Sequence, residues 1–82
     1  MITFHWRKHL VAGSAVWRLE YHSGKRAIAS IERRTTTLWH ARHNFVGKQS
    51  WAYLKSTRAA RRWVEASLAR KSWDWERCQI AP

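Results

Sequence analysis

Ser56-Thr57-Arg58-Ala59-Ala60-Arg61-Arg62-Trp63-Val64-Glu65-Ala66-Ser67-Leu68-Ala69-Arg70-Lys71 is the stretch where the hydrophobic period of this chain becomes 3.6. Ala60, Val64 and Leu68 recur at i, i+4 and i+8, and Trp75 continues the stripe at i+15. Trp63 and Ser67 broaden it, as on a helix with one buried side. Ser56 or Thr57 can accept a hydrogen bond from the free N–H groups of a first turn. The spacing predicts a helix over roughly 57–71, reaching 77 if the tail continues it. Arg58, Arg61 and Arg62 fall opposite the apolar stripe. Glu65 lies three residues after Arg62 and four after Arg61, where it can pair with either.

Upstream of that helix the period is 2. Ile2, Phe4 and Trp6 alternate with Thr3, His5 and Arg7, which reads as a strand over roughly 2–7. A helix through Phe4, Lys8 and Val11 is the competing reading of the same segment. Trp17, Leu19 and Tyr21 share one face against Arg18, Glu20 and His22, predicting a strand over 15–22. Ala27, Ala29 and Ile31 share a face in a strand over 26–33. Ser23-Gly24-Lys25 joins these two as a hairpin, with Gly24 expected at positive φ. Arg34-Thr35-Thr36 turns the chain into a further strand over 37–43, and Trp51-Ala52-Tyr53 is a short edge strand or a lead-in to the helix. The expected fold is α+β, a three- or four-stranded antiparallel β-meander packed against one long C-terminal α-helix. The expected organisation is a single domain over 1–82. Ala60, Val64, Leu68, Trp17, Leu19 and Ile31 are the candidate core.

Charge narrows the function. Sixteen Lys+Arg oppose five Asp+Glu, for a net charge of +11, and the chain holds seven tryptophans. Five acids cannot neutralise sixteen bases, so a positive surface must exist somewhere on the molecule. Arginine forks onto phosphate or carboxylate and stacks on flat rings, and tryptophan is the ring it stacks on best. An 82-residue domain can hardly bury seven indoles, so at least one or two should be exposed. A single cysteine, Cys78, rules out an intrachain disulfide framework and fits a cytoplasmic location. The N-terminal residues are broken by charge and do not read as a signal peptide. No apolar run approaches a membrane span, so no membrane partner is expected.

The chemistry-bearing residues are sparse. His5 and His9 are spaced for one helical face, and His40 and His43 have a familiar spacing. If both segments are strands, however, His40 and His43 project to opposite faces, and no clustered third ligand accompanies them. No metal, cofactor or catalytic residue is assigned, and the chain is not read as an enzyme. Glu20, Glu32, Glu65, Asp74 and Glu76 are its only acids, and no glycine-rich phosphate loop is present. On the fourth strand either Trp39, Ala41 and His43 or Leu38, His40 and Arg42 must point outward.

Two readings of function come from different classes. The first is a small nucleic-acid-binding protein that contacts the phosphate backbone through Arg18, Arg33, Arg34, Arg42, Arg58, Arg61 and Arg62, with Trp/Arg stacking. The second is a small phage-type effector that docks on an acidic host protein and inhibits or redirects it. Trp51 and Trp73 would be its partner-binding anchors, and Trp73 could equally anchor a homodimer. Indoles lining a basic groove or an open sheet favour the first, and a compact apolar patch rimmed by arginines favours the second.

The order of these elements is similar to that of the AP2 and phage-integrase arm-binding domains. Strands ending in Trp39-His40-Ala41-Arg42 are followed by a loop with Gly47, then by Leu54-Lys55-Ser56-Thr57-Arg58-Ala59-Ala60 opening a helix. The likeness covers roughly residues 15–71 and rests on element order; the plant-type glycine and acidic signatures are missing. It implies a three-stranded sheet on one helix that reads DNA with the sheet. The chain also looks like other small, basic, Trp-rich phage and mobile-element proteins.

Overall fold

A computed structural model of the protein describes residues 2–21, 24, 26–45, 48–71 and 78–80. The chain is α+β. Five strands, β1 (Ile2–Val11), β2 (Ser14–Tyr21), β3 (Ala27–Arg33), β4 (Trp39–Phe45) and β5 (Lys48–Leu54), precede the helix α1 (Thr57–Lys71). A short strand, β6 (Cys78–Ile80), follows it. The sheet order is β5-β4-β3-β2-β1-β6, so the first five strands form an antiparallel meander and β6 adds in parallel beside Ile2–Phe4.

The sheet exceeds the expected three or four strands at both ends. Lys48-Gln49-Ser50-Trp51-Ala52-Tyr53-Leu54 pairs with β4 along its whole length, where the sequence suggested at most a short edge strand. β1 runs to Val11, four residues past its predicted end, and its helical alternative is not adopted. A two-residue turn explains the extra length. Ala12 and Gly13 both have positive φ, at 50° and 80°, between the paired residues Val11 and Ser14. Turns with two positive φ values match the twist of a hairpin and propagate both strands. Gly24, by contrast, does not take the positive φ expected of it. The β2–β3 connection is closed instead by Tyr21 N–H to Arg26 O, at 3.2 Å, and Gly24 N–H to Tyr21 O, at 3.3 Å.

The helix starts where its cap predicts. Ser56 Oγ accepts the N–H of Ala59 at 3.1 Å, and Ser56 O accepts the N–H of Ala60 at 3.0 Å. Continuation of the helix to 77 lies outside the described residues. Ala60, Val64 and Leu68 are buried against Phe4, Leu19, Ala29, Ile31, Ala41 and Phe45. Trp17, expected in the core, lies half-buried at its border, as do Trp6, Trp39 and Trp63.

Pairing fixes which side chains share the helix-covered face. Lys8, Trp17, Ile31, Ala41 and Ala52 form one cross-strand row on that face, and Trp6, Leu19, Ala29, His43 and Ser50 form the next. The alternatives on β4 are thereby resolved: Trp39, Ala41 and His43 point toward the helix, and His40 and Arg42 point away from it. His43 is buried there, stacked on Phe45 at 4.1 Å with 11° between the rings and tilted against Trp63 at 5.1 Å.

Glu65 does not pair with Arg61 or Arg62. Its Oε1 accepts the indole N–H of Trp6 at 3.0 Å, and the Arg61 guanidinium lies 4.0 Å above the Trp17 ring. Both contacts tie the helix to β1 and β2. The half-buried indole N–H of Trp6 takes the carboxylate as its acceptor, while the half-buried Arg61 places its guanidinium on the Trp17 ring face and Arg62 is exposed to water.

Candidate nucleic-acid interface

The opposite face of the sheet has no layer over it among the described residues. Residues on it alternate with the core positions and are mostly polar or aromatic, with Val16 as a buried apolar member. Register brings them into rows across the strands. Arg7 on β1 pairs with Arg18 on β2, Arg18 with Ser30 on β3, Ser30 with Arg42 on β4, and Arg42 with Trp51 on β5. This single row crosses five strands and spans about 19 Å at the usual interstrand spacing. The neighbouring row is His9, Val16, Glu32, His40 and Tyr53, built from the same pairings.

The β5 end of these rows is aromatic. Trp51 is 61% exposed and Tyr53 52% exposed. Their rings meet edge-on at 5.7 Å and 78°, and the His40 ring lies 5.0 Å from Tyr53 and 5.9 Å from Trp51. Burial is the main cause that holds the His40 imidazole below its ordinary pKa, with Arg34 and Arg42 adding to it and Glu32 opposing. His40 is therefore a neutral ring at pH 7, part of the platform rather than one of its charges.

The arginines of the row are held in different ways. Arg42 donates from Nε to Ser30 Oγ at 3.0 Å and approaches Glu32 at 3.8 Å. Arg7 lies 3.5 Å from Glu20, whose other oxygen is 2.9 Å from His9 Nε2. Glu20 is only 2% exposed although it sits on the open face. The register shifts beside it, between Leu19 and Glu20, leaving Ile28 as the extra residue of β3. Such irregularities re-aim a side chain, and this carboxylate is sheltered under Arg7 and His9. Arg18 has no carboxylate partner among the described residues. Between Arg18 and Arg42 lies a shallow depression of about 280 Å³, lined also by Ser30, Asn44 and Gln49.

The seven arginines suggested by the sequence do not form one surface. Arg18 and Arg42 stand in the open-face row, and Arg34, in the β3–β4 turn, is near enough to act on His40. Arg33 ends β3 and donates from Nε to Thr35 O at 3.2 Å. Arg58 and Arg62 are exposed on α1, on the other side of the sheet, and Arg61 is engaged with Trp17. Of the two proposed partner anchors, Trp51 is on the open face, and Trp73 lies outside the described residues.

Sequence reasoning did not single out Arg7 or Tyr53 as members of this surface, and named His40 only in one of two alternative outward sets. The alternation of Gln49, Trp51 and Tyr53 was the available signal, since it continues the outward pattern of Arg42 and Asn44 once β4 and β5 are paired. No group of three or more metal-ligating side chains occurs among the described residues. No described helix is long and apolar enough to cross a membrane. Comparison with protein-family models, with curated proteins and with solved structures finds no match for the chain.

Proposed function

We propose that the protein binds nucleic acid through the open face of its sheet, chiefly by phosphate contacts supplemented by aromatic and arginine stacking. The observation that carries this reading is the cross-strand row Arg7–Arg18–Ser30–Arg42–Trp51, three cations leading to an exposed indole. Sheet faces that combine a cationic track with exposed rings hold nucleic acid by those two forces together. The net charge of +11 raises the local concentration of any polyanion around the chain. Phosphate contacts carry little base information, so low sequence specificity is expected.

Titration of labelled oligonucleotides at two salt concentrations tests the reading. Binding should weaken steeply with salt. Arg18→Ala combined with Arg42→Ala should reduce it far more than Arg58→Ala combined with Arg62→Ala. Absence of binding at low salt would end the proposal. Equal losses from the two pairs would mean diffuse attraction by net charge. A host protein that stays bound after nuclease treatment, and is lost on Trp51→Ala, would favour the acidic-protein partner instead.

A further inference from the structure

Resting on that reading, we infer that the ligand is single-stranded nucleic acid, laid across the strands along the Arg7–Trp51 row, with a footprint of about four nucleotides. The shape of the face argues for the single strand. Trp51 and Tyr53 are exposed at the β5 end, each more than half accessible. A ring can stack only on a base whose face is free, and the bases of an intact duplex are already stacked on one another. Arg42 is the direct cross-strand neighbour of Trp51, so a base on the indole brings its own phosphate beside a guanidinium. The depression between Arg42 and Arg18 then continues the path, with Ser30, Asn44 and Gln49 offering neutral hydrogen-bonding groups.

The length of the row sets the footprint. It spans about 19 Å, and a stacked strand advances about 3.4 Å per nucleotide. No more than about six nucleotides fit even when fully stacked, and a strand opened to stack on Trp51 seats fewer. At the Arg7 end, Glu20 sits beneath the row with Arg7 and His9 on its two oxygens. The row itself ends at Arg7, because among the described residues β6 pairs with β1 only at Ile2–Phe4 and places nothing beside Arg7. Charge gives an independent measure. Three arginines on single-stranded phosphates predict a slope of about 2 in log affinity against log salt, at roughly 0.7 per contact.

Fluorescence anisotropy with labelled oligothymidylates of two, four, six and eight nucleotides, beside a twelve-base-pair duplex, tests this directly. Affinity should rise at least tenfold from two to four nucleotides, then change less than about threefold to eight, with a salt slope near 2. The duplex should bind at least tenfold more weakly than the octamer. Trp51→Ala should cost the octamer about tenfold, in line with the worth of one stacked base, while Trp51→Phe retains most of the affinity. Trp51 lies outside the core cluster, and circular dichroism of each variant checks that it is folded. Affinity that keeps climbing through eight nucleotides, a salt slope of 4 or more, or a duplex bound as tightly as the octamer would overturn the inference. Those outcomes leave nucleic-acid binding itself standing. Failure of every oligonucleotide to bind would remove both.

Discussion

On the covered face of the sheet an arginine sits 4.0 Å over an indole, whereas on the open face arginines lead toward an indole that is 61% exposed. Arg61 over Trp17 and the Arg42–Trp51 pair are made of the same residue types. What separates them is the second layer. Where α1 lies over the sheet, Trp6, Trp17 and Trp63 become its rim, and the cation of Arg61 is consumed in fastening the helix down. Where no layer lies over the sheet among the described residues, Trp51 and Tyr53 stay accessible and Arg42 beside them is exposed. The same composition holds two layers together on one side and leaves rings and cations exposed on the other.

The largest expected effect lies on the covered side. Leu19 is fully buried between the strands and α1, and Leu19→Ala should cost about 3 kcal/mol. In a domain of this size that lowers Tm by more than about 10 °C. A thermal melt showing a much smaller drop would mean that the helix is not seated on this face.

Glu20 is the exception on the open side, a buried carboxylate among solvent-facing groups. Glu20→Gln should cost about 1–2 kcal/mol in denaturant unfolding, since its two partners are charge-assisted. The same substitution should strengthen oligonucleotide binding, because Arg7 is released and a negative charge leaves the track. A variant that loses stability and binding together would show Glu20 positioning Arg7 rather than restraining it.

Ala12 belongs to neither face. Held at φ 50°, it carries the left-handed strain that Gly or Asn tolerates. Ala12→Asn should stabilise the protein by about 1 kcal/mol with binding unchanged. Trp51→Ala should shift stability by less than about 1 kcal/mol, the worth of its ring contacts with His40 and Tyr53, while abolishing most single-strand affinity.

The smallest effect is a pH dependence. His40 is held below its ordinary value of 6.5 when folded, so the unfolded chain takes up its proton first as pH falls. The stability that follows from the neutral ring is therefore complete above 6.5 and is lost as pH drops toward the lowered value. His40→Phe should remove that component, so that unfolding midpoints at pH 7.5 and 5.5 lie closer together than in the parent. An unchanged gap would place the ring in water.

Local patterns, which need no partner to be read, determined a good deal of this molecule. The alternation around Trp17 and Ile31, the 3.6-residue stripe of Ala60, Val64 and Leu68, and the capping Ser56 established an antiparallel meander followed by a helix. The excess of cations established that some surface is positive. These properties depend on residues close together in sequence. Tertiary structure decided the rest, because it turns on which strands become neighbours. β5 was legible only as Trp51-Ala52-Tyr53 until β4 offered it a full ladder, and that pairing set Trp51 beside Arg42. Glu65 had two arginines within reach on its own helix, yet the burial of Trp6 claimed it. Arg7 and Trp51 are 44 residues apart. They share a row only because four successive registers align them, and no single one of those registers is visible from its own strand.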